Sequence, residues 1–269
     1  GDIAADVLGL PTNAERARLY RNRGDGTFAD VTRETHLYRV LHAMGSNFGD
    51  LDNDGWLDFY LGTGDPDLLT VVPNRMFRNA EGRRFQDVTT RGGFGHVQKG
   101  HAVCFADLDN DGDQDVYADM GGAYSGDVAP NILFANPGHG HHWLKLQLVG
   151  VRANRPGIGA RLKLVVSGPS GERVFHRTVG TGGSFGTNPL RQEIGLADAR
   201  VIRSLEIRWP GSGAVQVLRD LEPDRFYRVT EGREPAEVVP LRSCVLQLPR
   251  DHEGHAPSRT QGTPGRESG

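Results

Sequence analysis

Two stretches of this sequence put carboxylates where they could hold a hard cation: residues 50–58, DLDNDGWLD, and residues 107–115, DLDNDGDQD. Each sets aspartates at positions 1, 3, 5 and 9 of a nine-residue turn, with glycine at position 6 where the backbone must bend sharply. Calcium takes about 6 to 8 oxygens at about 2.3–2.6 Å in adaptable geometry, a demand that short carboxylates, one backbone carbonyl and water can meet. The spacing assigns side-chain ligation to Asp50, Asp52, Asp54 and Asp58, with the carbonyl of Trp56 at position 7. In the second loop it assigns Asp107, Asp109, Asp111 and Asp115, with the carbonyl of Asp113, whose side chain is expected to point outward as a spectator. Two Ca2+ sites are therefore expected. Magnesium wants stricter octahedral geometry, and transition metals prefer imidazole or thiolate, which the loops lack. One such turn reads equally well as a solvated Asp/Asn/Gly turn. Two copies at a fixed spacing, each between apolar runs, favour the ion, without which four carboxylates in one turn would repel and raise one another's pKa.

The elements that must present these loops follow from that spacing. The offset of 57 residues from Asp50 to Asp107 also carries Leu19-Tyr-Arg-Asn22 onto Met76-Phe-Arg-Asn79 and then onto Leu133-Phe-Ala-Asn136, and Phe28-Ala-Asp-Val-Thr32 onto Phe85-Gln-Asp-Val-Thr89. Within a unit the pattern predicts four strands, near residues 43–49, 57–62, 75–79 and 85–89, and four short strands per unit is the signature of a propeller blade. Residues 1–141 hold about two and a half such blades. Stepping back 57 from Asp58 reaches residue 1, so the register predicts truncation at the N-terminus, with open sheet edges covered by missing blades or another chain. From His142 the period vanishes. Strands expected near 143–149, 160–166, 173–179, 205–209 and 226–230, divided by Gly/Pro/Ser turns, predict a small β-sandwich over 142–232. Residues 233–269, rich in Pro, Arg, Glu, Gly and Ser, are expected to be a mostly disordered tail.

Composition agrees with an all-β class: 37 glycines and 15 prolines suit many strands joined by tight turns. A formal net charge of −3 offers no basic field for a phosphate backbone, so nucleic acid is not an expected partner. No run approaches the roughly 20 apolar residues of a membrane span, and no signal peptide opens the chain. Cys104 sits in an apolar run, 140 residues from Cys244, and reads as a buried thiol rather than half of a disulfide.

The 57-residue units resemble FG-GAP/VCBS repeats of integrin-α-like propellers, through Phe48-Gly-Asp-Leu-Asp-Asn-Asp-Gly55, Phe105-Ala-Asp-Leu-Asp-Asn-Asp-Gly112 and the two Asp-Val-Thr signatures. Residues 142–231 resemble the ASPIC/UnbV domain, through His142-Trp143-Leu144, Asn154-Arg155, Gly157-Ile-Gly-Ala-Arg161, Gly182-Gly183-Ser184, Gly195-Leu196, Trp209-Pro210 and Glu231-Gly232. The second glycine turn of the repeat is weak here, and Ile194 stands where the ASPIC pattern has phenylalanine. The order of the two parts is similar to bacterial relatives of cartilage acidic protein. This resemblance implies a secreted, periplasmic or cell-surface chain whose propeller binds calcium.

Other polar motifs carry less. Arg23-Gly24-Asp25 falls, one unit on, at Ala80-Glu81-Gly82, which makes it one blade's version of a common turn rather than a recognition tripeptide. The GHGHH run ending at His142 reads as a polar linker, and His96 and His101 have no nucleophile motif beside them. No nucleophile elbow, HExxH, P-loop or dinucleotide fingerprint occurs, and Gly180-Thr-Gly-Gly183 reads as a turn because no helix follows it. The expected function is a calcium-stabilised extracellular module for binding or adhesion to protein or glycan. The alternative, implied by the UnbV resemblance, is a biosynthetic cyclase or hydrolase working on the propeller face near its junction with the ASPIC domain, with the acidic loop residues plus His96, His101 or His142 as candidates. A cleft with convergent titratable groups would favour the enzyme.

Overall fold

The computed structural model describes residues 2–64, 71–122, 126 and 129–246. Among the described residues a single short helix, α1 (Asp2–Val7), precedes the strands, and the rest of the regular structure is β. β1 (Tyr20–Asn22) and β2 (Phe28–Asp30) form a two-stranded sheet. β3 (Ala43–Gly49), β4 (Asp58–Thr63), β5 (Arg75–Ala80) and β6 (Arg84–Asp87) form a four-stranded antiparallel meander in that order. β7 (Gly100–Ala106), β8 (Asp115–Met120) and β9 (Ile132–Phe134) repeat its first three strands, each starting 57 residues after its counterpart. The first sheet matches β5 and β6 in the same register, so it is the outer half of a blade. The architecture is thus a partial propeller of about two and a half blades, stacked through β3 and β4 against β7.

The residue types explain the stacking. Asp58, Tyr60, Leu61 and Thr63 of β4 are all buried, although they point alternately to opposite faces, because a blade is covered on both sides. Tyr60, Met76, Val103, Phe105, Val116 and Met120 fill the space between the two larger blades, closed by Phe94 and Phe134. The Arg-Gly-Asp tripeptide lies in the β1–β2 connection, and its counterparts one unit on, residues 80–82, end β5 and begin its turn to β6.

The repeat gives way at a definite point. The fourth strand of the second large blade falls due at residue 141, but the chain instead starts β10 (His142–Val149), which pairs with strands of a different sheet. β11 (Arg161–Gly168), β12 (Gly171–Thr178), β13 (Gln192–Ala197), β14 (Val201–Arg208), β15 (Val215–Leu218), β16 (Arg225–Thr230) and β17 (Glu237–Val238) complete a sandwich. Its sheets run β13-β10-β16-β17 and β12-β11-β14-β15, with β10 and β16 parallel. Leu144, Leu146, Leu162, Leu164, Leu196, Ile207 and Trp209 fill the space between them, and the Trp209 indole N–H reaches Gln216 Oε1 at 3.0 Å. Three strands lay outside the sequence pattern. β15 and β17 are short, and β13 carries Gly195 in its middle. Residues 233–246, expected as part of a disordered tail, are ordered where β17 pairs with β16 and where Cys244 N–H donates to the Asp109 carbonyl at 2.8 Å. The remainder of that tail lies outside the described residues. Both cysteines are free, with Cys104 half-buried and Cys244 exposed.

Glu231 clasps the turn after β10. Its Oε2 accepts the N–H groups of Val151, Arg152 and Ala153 at 2.7–2.8 Å, and Oε1 accepts the Ser212 hydroxyl at 2.8 Å. These donors, led by Ala153 N–H, hold its pKa down at about 2. A depressed carboxylate stabilises the fold above its unfolded value of 4.5 and loses that contribution as pH falls toward 2. Glu231→Gln is therefore expected to lower the melting temperature by a few degrees at pH 7, and the gap from wild type should close between about pH 4.5 and about pH 2, as read by thermal unfolding across pH.

Candidate metal centre

The two acidic loops join β3 to β4 and β7 to β8, so each is the hairpin connection of the two inner strands of a blade. Both bend identically: Asn53 and Gly55 take φ of 54° and 88°, and Asn110 and Gly112 take 60° and 108°. Two left-handed residues in one turn curl the aspartates at positions 1, 3 and 5 inward. Asp50, Asp52 and Asp54 each bring one carboxylate oxygen within 4.8 Å of the others, and Asp107, Asp109 and Asp111 do the same. The position 9 residues are not members of these trios. Asp58 accepts the N–H groups of Leu51 and Asn79 at 2.8 and 2.7 Å, and Asp115 those of Leu108 and Asn136 at 3.0 and 2.9 Å, so each ties its loop to the end of the third strand of its blade or the residues just after it. Trp56 N–H donates to Asp54 Oδ1 and Asp113 N–H to Asp111 Oδ1, both at 2.9 Å. The Asp113 side chain corrects an expectation. It is not an outward spectator: it is half-buried, and its Oδ1 accepts Asn53 Nδ2 at 2.9 Å, linking one loop to the other.

Sequence spacing gave no sign of the groups that surround the loops. Arg78 on β5 donates Nε to Asp52 Oδ2 at 2.5 Å and Nη2 to Asp54 Oδ2 at 3.1 Å. One unit later that position is Ala135, a difference visible in the repeat itself. The other groups come from the sandwich, which seats directly on both loops. β13 is an edge strand, and its free N–H groups at Gly195 and Ala197 donate to Asp50 Oδ2 at 3.2 Å and to the Asn53 carbonyl at 2.8 Å. Arg173 and Arg177 donate to the carbonyls of Asp54 and Gly55 at 2.8 and 3.2 Å, and Arg177 Nη2 stands 4.0 Å from Asp50 Oδ2. At the second loop, Lys145 Nζ contacts Asp107 Oδ2, while Glu193 accepts Asp107 N–H at 3.1 Å. The 180–188 loop stitches the inner strands: Ser184 and Ser46 exchange backbone hydrogen bonds, and Asn188 links to Asn47, Phe48 and Phe105.

Burial dominates the electrostatics of the loops. It pushes Asp50 up to about 7, against the pull of Arg177, and Asp58 up to about 8, against the two N–H groups it accepts. Asp54, Asp109, Asp113 and Asp115 are raised for the same first reason. Within the first loop, Asp50 Oδ1 and Asp52 Oδ1 are buried with no hydrogen-bond partner. A carboxylate oxygen left so costs about 1–3 kcal/mol or more, and a cation between the three aspartates would relieve it.

The histidines are scattered, and one of them, His141, lies against the first loop. His141 Nδ1 lies 2.6 Å from the Asp52 carbonyl, His142 Nδ1 lies 2.7 Å from Asp224 Oδ2, and His96 Nδ1 accepts Gln98 N–H at 3.2 Å. A cleft of about 340 Å³ opens at the junction of the two parts, lined by Phe48, Gln114, His176, Arg177, Arg191 and Glu193 among others. Arg191 and Glu193 are already paired at 2.5 Å there.

These features meet two family descriptions. The FG-GAP-like repeat model matches residues 1–61 and 60–118, and the ASPIC and UnbV model matches 150–236. The chain carries FG-GAP-like repeats and an ASPIC and UnbV domain. It is also 33% identical over 103 residues to cartilage acidic protein 1 of Xenopus tropicalis, a match covering 37% of this chain and 15% of that protein. The repeat model ends within β8, so the three-stranded blade, the crossing at His142 and the seat of the ASPIC and UnbV domain on both loops are seen in the structure alone.

Gly195 is a tight point of that seat. A Cβ there would stand 2.4 Å from the backbone of Asn53 and from Asp50 Oδ2. Gly195→Ala is expected to cost about 1–3 kcal/mol and to strip amide protection from residues 50–58 and β13 together, as hydrogen exchange would show. Wild-type stability in that variant would contradict the packing of β13 on the loop.

Proposed function

We propose that this chain is a calcium-stabilised, extracellular or surface-exposed propeller module whose role is binding or adhesion to a protein or glycan. The reading rests on one observation above the rest: three inward-turned carboxylates in the first loop, two of them with a buried oxygen that no protein donor satisfies. The donor set is all oxygen, which fits calcium. Asp50, Asp52 and Asp54 would hold the ion in the first loop and Asp107, Asp109 and Asp111 in the second, with Asp58, Asp115 and the carbonyls of Trp56 and Asp113 as the remaining ligands read from spacing. The ion's contribution is charge neutralisation at a hairpin that both blade and sandwich lean on. FG-GAP-like repeats and a relative named for cartilage support the extracellular setting, and no helix among the described residues is long and apolar enough to cross a membrane. The junction cleft is the place an enzyme reading would use. The adhesive reading is preferred because Arg177, Arg191 and Glu193 there are engaged in holding the loops and strands.

Removing calcium with EDTA is expected to lower the melting temperature by several degrees, with full recovery on adding calcium back. A ligand at a hundred times its Kd stabilises by about 2.7 kcal/mol. Asp52→Asn should reduce the response. A melting temperature indifferent to both chelator and calcium would end the proposal.

A further inference from the structure

The two loops are alike in backbone but not in how their charge is met. In the first, Arg78 bridges Asp52 and Asp54 from within the blade, Arg177 stays 4.0 Å from Asp50, and two buried oxygens lack partners. In the second, Ala135 replaces the bridging arginine, and no buried carboxylate oxygen lacks a partner among the described residues. Its cation comes from the other domain. Lys145 projects from β10 with 1% of its side chain exposed, touches Asp107 Oδ2, and lies 4.8 Å from the ring centre of Trp143. Trp143 in turn packs on Gly112, where a Cβ would meet its indole at 1.9 Å. Lys145 stands directly across from Glu193, whose carboxylate accepts Asp107 N–H, so both residues of that cross-strand pair grip the same aspartate.

We propose that Lys145 is a resident cation of the second loop, placed there by the sandwich, and that it holds that loop's affinity for a divalent cation below what its carboxylates alone would give. The inference rests on the reading of the loops as calcium sites. A buried ammonium on Asp107 repels an incoming ion and has already satisfied the oxygen it touches, so it competes for the same charge. It also lets the second loop keep its shape when ions are scarce, which the first loop cannot do as well.

Terbium(III), excited through tryptophan, separates the two sites. Trp56 lies in the first loop, Trp143 lies against the second, and Trp209 is in the sandwich core. In a Trp56→Phe background the remaining signal should report the second loop. Lys145→Met is expected to tighten terbium and calcium there by roughly tenfold or more, whereas Lys145→Arg, which keeps the charge, should stay near the parent value. Unchanged or weakened binding in Lys145→Met would overturn the proposal. Hydrogen exchange on the unaltered chain gives a second test that needs no variant: EDTA should strip protection from residues 50–58 more than from 107–115, and equal loss would overturn it. Absence of any saturable terbium or calcium binding in the unaltered chain would instead defeat the calcium reading itself.

Discussion

Everything in this molecule leans on the first aspartate of each acidic loop. Asp50 and Asp107 are buried, and each has one oxygen, Oδ2, that accepts the N–H of the loop's own glycine, Gly55 at 2.9 Å or Gly112 at 2.7 Å. The same oxygen accepts from the sandwich, through Gly195 N–H in one loop and Lys145 in the other. Its sister oxygen is left to the interior of the loop. A single carboxylate thus closes a turn and anchors a second domain, and burying it makes each of those partners necessary.

Much of this could be read from the chain before any coordinates. The 57-residue offset placed β3, β4 and β5 and their repeats, because each blade buries the same positions and so repeats the same residue types. The acidic loops were equally plain, since inward-turned aspartates at positions 1, 3 and 5 require the Asn and Gly that the sequence shows at positions 4 and 6. What could not be read is contact between parts that obey different periods. Lys145, Arg177 and Gly195 look like ordinary strand residues, and their meaning arises only when the sandwich is set on the loops. Asp113 was misjudged for the same reason: its partner, Asn53, belongs to the other loop. β13 escaped notice because a glycine at its centre weakens any strand pattern, yet that glycine is what lets its edge approach the Asn53 backbone.

The sandwich also changes how the sheet edges are to be understood. An edge strand with free N–H groups invites pairing with a stranger. Here β13 spends two of them on the first acidic loop, and the 180–188 loop pairs with β3 through Ser46 and Ser184. Cover that the repeat pattern assigned to missing blades or another chain is supplied in part from within. The propeller and the sandwich are therefore one mechanical unit at their junction, held by main-chain bonds as well as by charge.

The start of β10 at His142, one residue past the point where the second large blade would begin its fourth strand, makes the junction a ruler. Only the few residues after Phe134 separate the last blade strand from a sheet whose side chains must land on loops belonging to two successive units. A blade inserted there would carry Lys145 and Gly195 a whole unit away from Asp107 and Asp50. The length of the array is consequently fixed on this side.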